Sequence, residues 1–163
     1  MMLKWIIISS TIFLSLAVVT AKAGQKSIHS ETYINASPKD VWQALFNLEK
    51  YEKWNPVMRP LSGKMVEGGK IRYHFIESES KSYELSAEVK KVTPQSLINQ
   101  RGGYPLILKF DHKYILEPSG LGTKFIIHEE YNGIWVHFWD PSFVQHLYDK
   151  IGVSLKTYLE NEE

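Results

Sequence analysis

A histidine and a glutamate set among apolar neighbours are the side chains in this sequence best suited to chemistry. Residues 107–118 and 122–132 alternate in polarity with a period of two, and Pro118-Ser119-Gly120 separates them. A hairpin turning at 119–122 places Phe110, His112, Tyr114 and Leu116 across from Tyr131, Glu129, Ile127 and Phe125 on one face. The opposite face, Asp111, Lys113, Ile115 and Glu117 against Glu130, His128, Ile126 and Lys124, reads as wet. His112 then lies opposite Glu129 on an apolar surface, where ionisable groups are costly unless paired. Three roles are open to the pair: a satisfied cross-strand contact at a cavity rim, a polar anchor for a ligand, or a general base whose imidazole tautomer Glu129 fixes.

Other side chains qualify by position. Arg101, near the end of the preceding strand, is a candidate partner for the pair or for a carboxylate headgroup at a cavity mouth, with a solvated rim position as the alternative. Trp54 and Asn55, ahead of Pro56, close a helical segment, and the Asn55 amide is a candidate for local backbone bonding or for ligand contact. Tyr73, Phe75 and Leu85 are inward candidates on two strands, and Phe143 and Leu147 on a helix. The apolar run Ile134-Trp135-Val136-His137-Phe138-Trp139 reads as a lid over a cavity entrance, as core, or as a surface for membrane or partner contact.

Several chemistries are disfavoured. The histidines, His29, His74, His112, His128, His137 and His146, show no tight metal-ligand spacing, and His112 with Glu129 supplies fewer protein ligands than zinc takes. The sequence contains no cysteine, which removes disulfides, thiolate metal sites and cysteine nucleophiles. It also lacks a Gly-x-Ser-x-Gly elbow and a glycine-rich phosphate loop, so neither a cofactor nor a metal is expected.

The elements that hold these residues follow from periodicity. Residues 27–35 read as a strand. Ser37-Pro38 with Asp40 reads as a helix start, followed by Val41, Trp42, Leu45 and Phe46 at helical spacing. A second short helix covers 48–54 and stops at Asn55-Pro56. Strands are expected near 59–66, 70–78, 82–92, 95–102, 107–118 and 122–132, with Gly68-Gly69 as a hairpin turn. Asp140-Pro141 begins a final amphipathic helix of about 20 residues.

The first 23 residues read as an address. Lys4 precedes an apolar stretch from Trp5 to Val19, and Ala21-Lys22-Ala23 suits signal peptidase, so cleavage is expected after Ala23. About 15 apolar residues fall short of the roughly 20 that a membrane anchor needs. Without this segment, which carries Lys4, Lys22 and no acid, 19 basic residues become 17 against 18 acidic ones. A near-neutral chain has no electrostatic footprint for nucleic acid. A secreted or periplasmic single domain over 24–163 follows, and a monomer is the expected state.

A long antiparallel sheet with an apolar face needs a cover, and the final helix is the only long one. That order, with Ile34-Asn35-Ala36-Ser37-Pro38-Lys39-Asp40-Val41-Trp42, Tyr51-Glu52-Lys53-Trp54-Asn55-Pro56 and the strand from Gly122-Thr123-Lys124-Phe125 to Glu129-Glu130-Tyr131-Asn132-Gly133, resembles the START, polyketide-cyclase and coenzyme-Q-binding superfamily. The resemblance implies an α+β helix-grip fold. In it a curved antiparallel sheet of about seven strands wraps a long C-terminal helix, with two short helices between strands 1 and 2. It further implies a cavity for apolar molecules such as lipids, quinones, fatty acids or polyketide-like compounds. Three functions fit: a binder of an apolar small molecule, a cyclase, dehydratase or hydrolase using His112 and Glu129, and an envelope interaction module using Trp135–Trp139 with transient membrane contact.

Overall fold

The computed structural model describes residues 24–161. The expected signal segment lies outside the described residues. Ten residues of β1 (Gln25–Ile34) lead into α1 (Pro38–Phe46), a 3-10 turn (Leu48–Lys50) and α2 (Tyr51–Trp54). Six strands follow: β2 (Met58–Ser62), β3 (Lys70–Ser78), β4 (Lys81–Thr93), β5 (Leu97–Tyr104), β6 (Leu108–Ser119) and β7 (Gly122–Asn132). A second 3-10 turn (Ile134–His137) leads into α3 (Ser142–Glu160). The strands form one antiparallel sheet ordered β1-β7-β6-β5-β4-β3-β2, so the first strand joins the last and the rest meander. This is the helix-grip α+β fold, with α3 against the inner face of the sheet.

Local chemistry sets the element ends. The Asp40 amide donates to Ser37 Oγ at 3.3 Å, and Pro38 takes the first helical position of α1. After α2, Asn55 Oδ1 accepts from the amides of Val57 (3.0 Å) and Met58 (2.8 Å), turning the chain into β2. At the start of α3, Asp140 Oδ1 accepts from the Ser142 amide at 3.0 Å. That bond and a second one from the Ser142 hydroxyl hold the Asp140 carboxyl below its ordinary range.

Two expectations about the strands are corrected. β2 is shorter than 59–66, because the chain leaves the ladder at Gly63, whose φ is +114°. Gly68-Gly69 is therefore the end of a longer connection, pinned to β4 by Gly68 N–H to Val89 O (2.9 Å) and Val89 N–H to Gly69 O (2.8 Å). Nor is the outer face of the last hairpin uniformly wet. Ile126 is buried there opposite Ile115, with the half-buried Lys124 and His128 on either side of it along β7.

The helix buries Val144, Tyr148, Ile151 and Leu155. Its rotation is fixed by contact with β1: the Ser30 hydroxyl donates to Asp149 Oδ1 at 2.7 Å, and Lys156 Nζ donates to Tyr33 O at 2.9 Å. Between these bonds Gly152 lies so close to β1 that a Cβ there would sit 2.1 Å from Thr32 Oγ1 and 3.1 Å from Thr32 Cβ. Gly152→Leu is expected to push α3 off the sheet and cost about 2 kcal/mol by urea unfolding, despite leucine's better helix propensity. Val153→Leu, one position round on the exposed face, is the neutral control.

Candidate functional site

His112 and Glu129 meet as cross-strand neighbours of β6 and β7, in the register expected from the hairpin. His112 Nδ1 lies 3.2 Å from Glu129 Oε2, with the two residues only 3% and 4% exposed. The Tyr148 hydroxyl of α3 is 3.3 Å from the same nitrogen. A carboxylate only accepts, so a neutral ring in this position carries its proton on Nδ1 toward Glu129 and keeps the lone pair on Nε2. Nε2 is buried and has no hydrogen-bond partner among the described residues.

Phenols and an amide surround the pair. The Tyr131 hydroxyl is pushed far above its ordinary range, first by burial and then by the charge of Glu129. Tyr83 is pushed up to about 12 by burial, with Glu77 and Glu129 adding to the shift. Glu129 lines the same interior space as these two phenols. On β5, Gln100 exchanges hydrogen bonds with Tyr73: its Nε2 lies 3.0 Å from the hydroxyl and its Oε1 3.2 Å. The same amide nitrogen reaches Met65 Sδ at 3.3 Å.

All of these residues except Met65 and Glu77 line a cavity of about 600 Å³ between the sheet and α3. Of the residues singled out in the sequence, Tyr73, Phe75, Leu85, Phe110, His112, Glu129 and Tyr131 line it. A broader surface cleft of about 1290 Å³ beside α1 is lined by polar side chains such as Asp40, Gln43 and Asn47 and by about as many apolar ones, among them Trp42, Phe46 and Leu159. It holds neither member of the buried pair. The interior cavity is thus the candidate site.

The remaining candidates stand elsewhere. Arg101 is on the outer face, where its Nε bonds Asp111 Oδ2 at 2.5 Å and its side chain is 57% exposed. Pairing of Arg101 with Asp111 and Gln100 with His112 shows why: alternation carries Gln100 inward and Arg101 outward. Tyr114, Phe125 and Ile127 are buried in core toward the hairpin end of β6 and β7, where α1 packs, and do not line the cavity. Trp54 and Asn55 are buried outside the cavity wall, with the Asn55 carbonyl committed to the turn before β2. Phe143 and Leu147 are half-buried flanks of α3, since the helix turns Val144 and Tyr148 to the cavity instead.

Lining residues that the sequence reading passed over include Met58, Tyr83, Gln100, Tyr104, Leu108, Trp139, Val144 and Tyr148. Extending the hairpin logic from β6–β7 to β5–β6 finds Gln100, because the turn at 105–107 pairs it with His112. Of the apolar run 134–139, Trp139 lines the cavity and packs edge-on against Tyr131, with ring centroids 4.7 Å apart. Val136 is core, while Trp135 and Phe138 face outward.

Comparison with known proteins agrees with this fold. A search of curated proteins gives no match. Among solved structures, protein CV1439 of Chromobacterium violaceum superposes with a TM-score of 0.70 at 17% identity, covering 82% of this chain and 96% of that one. Protein Ms6760 of Mycobacterium smegmatis gives 0.70 at 13% identity, covering 84% and 92%. A protein from Rhodobacter sphaeroides gives 0.69 at 17% identity, covering 84% and 93%. At such identities the likeness is one of fold. The family model described as polyketide cyclase / dehydrase and lipid transport matches residues 25–160, the whole of the sheet and its helix, and the chain belongs to that family.

Proposed function

We propose that the protein binds a hydrophobic small molecule, such as a lipid, quinone, fatty acid or polyketide-like compound, in the cavity between sheet and α3. The observation that carries this reading is one His112–Glu129 pair, almost wholly buried, in a wall otherwise built mainly of aromatic and aliphatic side chains. Such a wall holds an apolar body, while the pair and the Gln100–Tyr73 couple offer fixed polar partners to one end of it. The volume lies within the roughly 300–1,000 Å³ of ordinary ligand pockets. Binding needs no cofactor or metal. The export reading of residues 1–23 completes the proposal: a monomeric binder acting in the periplasm or outside the cell.

A second reading, an enzyme of the cyclase, dehydratase or hydrolase kind, draws support from the Nδ1–Glu129 contact. That contact leaves Nε2 of His112 as a base oriented from behind. Native mass spectrometry of residues 24–163, followed by organic extraction, tests both. A stoichiometric apolar adduct of one composition is the expected result for a binder. A recovered substrate and product pair moves the assignment to the enzyme. A clean mass, together with no uptake of fatty acid, quinone or an apolar dye, overturns the binding reading.

A further inference from the structure

The cavity mouth is rimmed by an apolar platform made of two loop tips. The turn between β5 and β6 exposes Tyr104 (74%), Leu106 (70%) and Ile107 (54%), and the 134–137 turn with its successor exposes Trp135 (52%) and Phe138 (77%). Two backbone bonds weld the tips together, Ile134 N–H to Leu106 O and Trp135 N–H to Ile107 O, each 3.0 Å. Leu106 sits at φ +66°, a left-handed conformation that a branched apolar residue adopts at a cost, and it presents its side chain to solvent there. Tyr104 and Trp139, from the same two segments, also line the cavity. Whatever covers the platform therefore lies over the entrance.

We infer that this platform docks on a lipid bilayer and that the ligand passes between bilayer and cavity through the mouth beneath it. Three observations select this occupant. Tryptophan and tyrosine rings beside leucine and isoleucine suit the boundary between headgroups and acyl chains. The first tip, 104–109, contains no acid and ends in the exposed Lys109, while at the second tip Lys26 Nζ bonds the Trp139 carbonyl at 2.6 Å and offsets the charge of Asp140 that follows it. Finally, the chain enters the domain at this place. Gly24 lies under the second tip, where a Cβ would stand 2.7 Å from Gly133 O and 3.0 Å from His137 Nε2. The apolar stretch ending at Val19 is five residues away in sequence, at most about 18 Å along the chain. A membrane-bound precursor would hold the platform toward the bilayer. A second copy of the chain fits less well, since five exposed side chains fall far below the roughly 20–30 residues a side of a stable protein interface.

This inference rests on the cavity reading for what passes through the mouth, and its test separates the two. Residues 24–163 contain the whole sheet and core and match solved chains along nearly their full length, so they serve as the folded protein. Vesicles of phosphatidylcholine with phosphatidylglycerol are mixed with the protein and floated, and brominated acyl chains are used to quench tryptophan. Wild type is expected to float and be quenched. Trp135→Ser with Phe138→Ser is expected to lower partitioning roughly a hundredfold, about tenfold for each aromatic. Leu106→Asn, which suits the left-handed backbone, is expected to weaken docking without unfolding the domain. An apolar dye offered from solution should enter all three proteins equally. Wild type left unfloated, or variants that float as well as wild type, would overturn the docking. A dimer that the paired substitution dissociates, with no flotation, assigns the platform to a second copy and overturns it too. Loss of dye uptake in wild type counts against the cavity, whatever the flotation shows.

Discussion

Raising the pH above 10 is expected to unfold the protein cooperatively within about one pH unit. Tyr51, Tyr73, Tyr114 and Tyr131 are buried and hold their hydroxyl protons well above the ordinary value of 10, in each case chiefly because burial penalises the phenolate. Tyr51 also donates to Leu45 O at 2.8 Å, a bond that ionisation would break. In the unfolded chain the same groups titrate near 10. The folded state thus binds more protons than the unfolded one once the pH passes 10. Stability is fully present below that pH and is lost as the pH climbs toward the folded values. Each tyrosine contributes about 1.4 kcal/mol per pH unit, and the four together on the order of 5 kcal/mol. That slope is comparable with the whole stability of an ordinary domain. Circular dichroism and tyrosinate absorbance, followed against pH, should change together. Tyrosinate appearing well before the loss of structure would mean that these hydroxyls reach solvent in the fold.

Removing one member of the buried pair is expected to cost more than removing both. Glu129→Leu strips Nδ1 of its carboxylate and His112→Leu leaves Glu129 without its imidazole, each in a site 3% or 4% exposed. A loss of about 3 kcal/mol is expected for either change, because an ionisable group stays buried without its partner. The double variant should recover most of that loss, since two leucines suit the surrounding aromatics. Urea unfolding of the four proteins gives the coupling energy. Costs that simply add would show that the pair does not interact as its geometry requires. Ligand recovered by extraction supplies the second readout: if the pair anchors the polar end, the double variant is stable and yet empties.

The frame was legible because its signals are local. Ser37-Pro38, Asn55-Pro56 and Asp140-Pro141 mark helix boundaries by capping and proline chemistry, and the turn at 119–122 sets the register that opposes His112 to Glu129. The site was only half legible, because facing depends on contacts distant in sequence. Arg101 and Gln100 are adjacent residues, and a one-residue difference in register exchanges their faces. Phe143 and Val144 pose the same problem on a helix: both lie near the apolar stripe, and the close approach of Gly152 to Thr32 decides the rotation. Tyr114, Phe125 and Ile127 face inward, but how far along the sheet the cavity reaches is set by tertiary packing that periodicity does not encode.

The pairing of β1 with β7 also bears on how the chain becomes a protein. Gln25 must find Asn132 and Ile34 must find Thr123, so the strand of this sheet that is made first pairs with the one made last. The consecutive hairpins from β3 to β7 form between near neighbours, whereas closing β1 onto them carries the entropy of a loop about a hundred residues long. During synthesis Ile28 and Ile34 travel without their ladder, and α3, which packs on the same strand, is translated later still. Completion of the core therefore waits until this helix has been made, and a chain stopped short of it keeps its first strand unsheltered.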